Sequence, residues 1–250
     1  MRTITATCIV ALLGATTILA QSKTDYQVTA VDDGGIVTGR ATFRGDVPEP
    51  REFTITVDSN ACGEGQRLVD VVEVSDDGGL AGVIVEIQGV EAGKEWAPEA
   101  LHPVVDQEAC WFTSPSWVAA KGDRVELRNS DPILHNVHAY EVLPSGDRRT
   151  LFNIAQPHEG QITNQKLKLR RSNIVKLECD AHNFMHAYMY FASSPYYATS
   201  DADGGFEIGD VPPGKYIVTA WHPVFGQREA EIEVGAGTSA SVDFSFTSET

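Results

Sequence analysis

Apolar and polar positions alternate in short runs along most of this chain, and Gly, Pro, Asn or Asp closes nearly every run. A period of two puts one set of side chains on a buried sheet face, so the runs predict strands at 36–43, 80–87, 124–129, 136–142, 174–179 and 188–192. No long stretch carries a helical period, and the more polar segment 91–103 reads as a loop or a short helix. The pattern therefore predicts an all-β protein. One run breaks it: after Arg2, residues 9–20 are apolar and end among small residues, which describes a secretory leader at 1–20 that is removed on export. It is shorter than the ~20 apolar residues of a spanning helix. No second long apolar segment follows, so no stable membrane span is expected. Cys8 lies at the head of the run without the small residues that precede a lipid-attachment cysteine. The expected location is periplasmic or extracellular, as a secreted protein.

The alternation restarts near Ser193. Phe206 and Ile208 alternate before a Pro212-Pro213-Gly214 turn and Tyr216, Val218 and Ala220 after it, which predicts a hairpin, while 230–234 and 241–246 supply further strands. No flexible linker separates this part from what precedes it. The expected division is a leader at 1–20, a first domain with an N-terminal extension at 25–192, and a small β-sandwich at 193–250. The stretch DGGFEIGDVPPGKYIVTAWHP resembles the carboxypeptidase regulatory-like domain, a transthyretin-like β-sandwich, over about residues 194–248. The resemblance implies an accessory module without catalytic residues of its own. GGIVTGRATFRG is similar to the opening strand of such a module and is assigned to the N-terminal extension of the first domain.

The formal charge of −16 becomes one unit more negative once Arg2 leaves with the leader. Nucleic acid is thereby excluded as a partner, because a phosphate backbone calls for clustered Lys and Arg. The charge serves solubility, and it also steers a basic redox protein such as a cytochrome or an oxidoreductase. Without Cys8 three cysteines remain, an odd number for an exported chain. Cys62 and Cys110 lie in turn-rich surroundings with no His or second Cys at metal spacing, so a disulfide joins them and Cys179 is left free for chemistry.

The chemistry concentrates in LECDAHNFMHAYMYF, where Cys179, His182 and Met185 stand at i, i+3 and i+6 after a β-rich run. On a continuing strand i and i+3 point apart; a turn opening after Cys179 brings the thiolate, imidazole and thioether together. Two imidazoles and a thiolate in a plane with a weak axial thioether suit copper in both of its oxidation states. The second imidazole comes from His135 in RNSDPILHNVHAY, 44 residues upstream, at a turn-to-strand boundary. His138 and His186 are the rivals within the cluster. His138 points away from the face of Val137, and His186 is an alternative axial ligand to Met185 that moves the site away from blue character.

HNVH with Cys-x-x-His-x-x-Met resembles the small blue copper proteins, the cupredoxins, above all those of the amicyanin type, over about residues 120–192. The resemblance implies a Greek-key β-sandwich holding one type 1 copper, with His135 and His182 as imidazole ligands, Cys179 as thiolate and Met185 as axial thioether. It gives Asn136 the role of tying the two ligand segments together, and makes the exposed edge of His182 near Phe184 the electron port. Asn183 stands where the resembling turns have Pro, which alters the turn's hydrogen bonding.

Zinc ordinarily has more Cys or His ligands and no Met. His102, His158 and His222 stand alone, and Asp201-x-Asp203-Gly204-Gly205 lacks a full calcium loop and reads as a turn. No nucleophile elbow, metalloprotease helix or phosphate loop is present, nor the His-x-His pairs of a multicopper oxidase. The expected function is therefore electron transfer rather than catalysis. The alternatives are copper delivery in the cell envelope, or an interaction module with a vestigial metal site.

Overall fold

The computed structural model describes residues 26–69, 72–122 and 124–248, so the expected leader and Cys8 lie outside the described residues. The chain is all-β, with only two four-residue helices, Ser59–Cys62 and Pro98–Leu101, among the described residues.

Two sheets enclose the first core. One orders Gln161–Lys166, Arg124–Asn129, Val104–Glu108 and Trp111–Phe112; the other orders Arg148–Gln156, His135–Val142, Ile174–Glu178, His186–Ala192 and Ser116–Ala120. Between them pack Val125, Leu127, Val137, Ala139, Val175, Leu177, Met189 and Phe191, the inward residues of alternating strands. The expected strands at 124–129, 136–142, 174–179 and 188–192 are all here.

The carboxyl end of strand His135–Val142 is anchored by a buried carboxylate. Glu141 accepts hydrogen bonds from the N–H groups of Arg170, Arg171 and Ser172 at 2.7, 2.7 and 3.0 Å and from the Arg149 guanidinium. It thereby fixes the loop that leads into Ile174–Glu178. Burial alone raises the Glu141 carboxyl, but these donors prevail and lower it from 4.5 to about 2. Its folded pKa lies below its unfolded one, so its stabilisation is complete above about pH 4.5 and is lost as the pH falls toward 2. Glu141→Gln is expected to cost about 3 kcal/mol at pH 7, a deficit that shrinks toward pH 2. Denaturant titrations of both proteins across that range check it.

The second core corrects the expected domain boundary. Strands Gly35–Arg44 and Ile84–Gln88, which fall in the first domain by sequence, pair with C-terminal strands instead. Gly35–Arg44 joins Gly205–Val211, Ser239–Ser241 and Phe244–Thr247, while Ile84–Gln88 lies between Tyr197–Thr199 and Gly214–His222. Residues 193–250 alone thus lack two strands of this sandwich, and the two sheets of the first unit are inserted between Ile84–Gln88 and Tyr197–Thr199. The expected hairpin about Pro212-Pro213-Gly214 is also corrected. Gly205–Val211 and Gly214–His222 belong to different sheets, and the true hairpin partner of Gly214–His222 is Gly226–Val234. Two prolines without N–H donors suit a crossing between sheets better than a hydrogen-bonded hairpin end.

The two sandwiches share a wall. Along His186–Ala192, Ala187, Met189 and Phe191 face the first core, whereas Tyr190 and Ala192 pack with Ile84 and Trp221 of the second unit. Glu86, 1% exposed, accepts the Tyr190 hydroxyl at 2.7 Å and both the N–H and hydroxyl of Ser193 at 2.6 Å. A buried carboxylate with satisfied lone pairs fixes the register of the two units. The strand that leaves the Met185 turn is therefore held from both sides.

Candidate metal centre

His135 opens its strand, opposite Gln156, and Cys179 follows the last residue of the neighbouring strand, Glu178. The chain then turns. Met185 donates its N–H to the His182 carbonyl at 3.0 Å, and Cys179 donates its N–H to the Met185 carbonyl at 3.3 Å. This closed turn folds His182 back over Cys179, which a continuing strand cannot do.

Three of the four expected ligands converge. His135 Nδ1 lies 3.0 Å from His182 Nδ1, and Cys179 Sγ lies 3.8 and 3.7 Å from those two nitrogens. A circle through three atoms so spaced has a radius of about 2 Å, the length of a bond from a transition metal to imidazole nitrogen. All three residues are buried, as is Met185, whose side chain belongs to the same core cluster as Cys179. His138 and His186 are not in the converging group. His138 stacks on Tyr140 and bonds Asp180 through Nδ1 at 3.1 Å. His186 lines a cleft between the units with Arg51, Arg148, Lys176 and Trp221.

The outward ring nitrogens explain why the inward ones are free. His135 Nε2 lies 2.8 Å from Asp131 Oδ2, and His182 Nε2 lies 3.1 Å from Asp58 Oδ2. With each Nε2–H donating to a carboxylate, both Nδ1 atoms carry lone pairs and face each other beside a sulfur. That contact is repulsive without a cation between them, so the donor set fits a soft or borderline metal. Burial, with the nearby His135 ring, lowers the His182 pKa and favours the neutral ligand form; burial also raises the Cys179 thiol. Metal binding here must displace a thiol proton.

Asp131 is itself held in place. It accepts the N–H groups of Ala109 and Cys110 at 2.7 and 2.8 Å, and although burial raises its carboxyl, these donors and His135 bring it below the usual range. Ala109 and Cys110 form the two-residue loop between Val104–Glu108 and Trp111–Phe112, at φ 52° and 58°. Such a loop favours Asn-Gly, so Ala and Cys are strained there, and the strain is offset by the Asp131 bonds and by the Cys62–Cys110 disulfide. The disulfide expected from cysteine counting is present and Cys179 is free.

Asn136 bridges the segments that carry His135 and Cys179. Its N–H points at Cys179 Sγ at 3.5 Å, and its Oδ1 accepts the N–H groups of Asp180 and Ala181 at 2.8 and 3.2 Å. It joins these two segments directly.

The edge of His182 is not exposed. The residue is 1% accessible, and Asp58, at the head of the segment 58–69, meets its ring. Sequence reasoning missed Asp58, Asp131, Arg67 and Trp111. Only Asp131, four residues before His135 in NSDPILH, offered a local signal.

Comparisons with known proteins bear on each unit separately. Residues 191–247 match the model of the Carboxypeptidase regulatory-like domain. No curated protein sequence matches the chain. Among solved structures, a reduced Cu(I) form of an amicyanin mutant is similar at 22% identity, covering 39% of this chain and 86% of that one with a TM-score of 0.29. A purple cupredoxin from Nitrosopumilus maritimus is 16% identical, covering 36% of this chain and 98% of that one, with a TM-score of 0.30. Amicyanin from Paracoccus versutus is 16% identical, covering 39% and 85% respectively, with a TM-score of 0.28.

Proposed function

We propose that this chain is an exported mononuclear type 1 copper protein that carries single electrons between redox partners. The observation that carries the reading is the buried triangle of His135 Nδ1, His182 Nδ1 and Cys179 Sγ. Met185, fully buried and tied to His182 and Cys179 through its backbone, is the weak axial donor in this reading. Copper would supply a one-electron couple that needs no open coordination position. Every other part of the task falls to the protein. Asp131 and Asp58 hold the imidazoles in one tautomer and orientation, Asn136 ties the ligand segments, and Phe184, 2% exposed, helps exclude water. A cage held this way changes little between oxidation states, which suits electron transfer better than catalysis. The Cys62–Cys110 disulfide agrees with an oxidising compartment, and no helix among the described residues is long and apolar enough to cross a membrane. The net charge of −16 favours a basic redox partner such as a cytochrome or an oxidoreductase.

Copper titration of the metal-free mature protein tests this. The expected result is one equivalent bound, an intense visible band with a type 1 paramagnetic resonance signal, and bleaching by a one-electron reductant without loss of metal. A colourless copper adduct overturns the reading, and copper lost on reduction points to delivery instead.

A further inference from the structure

We propose that electrons reach and leave this centre through Phe184 and Trp111, because His182 is buried and Asp58, at the head of the segment 58–69, caps its outward edge. The inference rests on the copper reading above. Four observations carry it. His182 is 1% exposed and its outward nitrogen is taken by Asp58, so no partner meets that ring directly. Phe184 packs on His182 with ring centres 5.7 Å apart, and Trp111 meets Phe184 edge-on at 6.5 Å. Trp111 is 37% exposed and so ends the row at the surface. The Arg67 guanidinium lies over both Trp111 and Phe184, at 4.5 and 4.4 Å from the ring centres, and donates to the Cys110 and Cys62 carbonyls at 2.8 and 2.6 Å.

Arg67 thus clamps the two rings to the disulfide that anchors the cap. Electron tunnelling decays exponentially with distance and favours packed atoms over solvent. The cap lengthens the path at His182, while the aromatic row offers a packed path from the same ligand to the surface. Trp111 is the contact point for a one-electron partner with a flat aromatic or haem edge, and Asp58 keeps the shorter exit shut.

The test oxidises the Cu(I) protein with tris(phenanthroline)cobalt(III), a flat cation that takes one electron and becomes cobalt(II) as the centre becomes Cu(II). Rates are compared at measured midpoint potentials. Trp111→Leu is expected to slow the reaction about tenfold with the visible band and potential unchanged, while Trp111→Phe, which keeps a ring, retains most of the rate. Asp58→Ala is expected to speed it by opening the His182 edge. In the metal-free protein, His182 is expected to escape diethyl pyrocarbonate in the wild type and to be modified in Asp58→Ala, as read by peptide mass spectrometry. A normal band with Trp111→Leu at the wild-type rate overturns the route alone, and equal modification of His182 in both proteins overturns the cap. A wild-type protein that shows no type 1 band overturns the copper reading and the route with it.

Discussion

Cys179→Ser is expected to abolish the intense visible band of the copper-loaded protein and to weaken copper binding by more than the about 10- to 100-fold that loss of a ligand's hydrogen-bond partner costs. The band belongs to the thiolate, because charge transfer from sulfur to copper lies at visible energies and that from a harder oxygen does not. The substitution is nearly isosteric at a residue 2% exposed, and a hydroxyl still accepts from the Asn136 N–H, so the fold is expected to survive. Near-ultraviolet circular dichroism of the metal-free variant checks the fold, while visible absorption and competition with a copper chelator check the site. If the variant kept the wild-type band, the three-ligand plane would be wrong. Retention of tight copper binding without the band would make the two imidazoles the binding core and leave the thiolate as the source of the colour alone.

The paired substitution Cys62→Ser with Cys110→Ser is expected to cost about 4 kcal/mol, the chain-entropy value for a loop of this length. More than loop entropy is at stake. Cys62 closes the short helix that begins beside Asp58, and Cys110 is half of the strained loop whose N–H groups hold Asp131. One bond therefore links the supports of both imidazoles. The double variant is expected to lose copper affinity together with stability, although neither cysteine is a proposed ligand. Denaturant midpoints of the metal-free proteins and copper competition on the folded variant check the two effects separately. A stability loss under about 1 kcal/mol with unchanged affinity would reduce the disulfide to a surface staple.

Much of the candidate site was legible in the chain because its candidate donors are local. Cys179, His182 and Met185 fall within seven residues, the donor types match one another, and with Cys8 set aside in the expected leader and Cys62 paired with Cys110, Cys179 was the cysteine left over. His135 was legible from its position at a turn before a strand. The carboxylates were not. Asp58 reaches His182 across 124 residues and sits among exposed polar neighbours, so nothing in its surroundings distinguishes it from the other acidic residues of an acidic chain. The same holds for Arg67 and Trp111, whose roles exist only once the disulfide and the turn at Phe184 bring them together.

The all-β character, most strand positions and the cluster of donors could be read from the chain because alternation and donor spacing are local properties, and the disulfide could be read because so few cysteines leave few pairings. Tertiary structure alone decided that Gly35–Arg44 and Ile84–Gln88 complete the C-terminal sandwich, that Gly205–Val211 and Gly214–His222 part to different sheets, and that His182 is covered. The physical reason is that a strand's pattern states which of its faces is buried but not which strand it pairs with. The N–H and C=O groups that join strands are the same at nearly every residue, and only competition among all the possible pairings chooses between them.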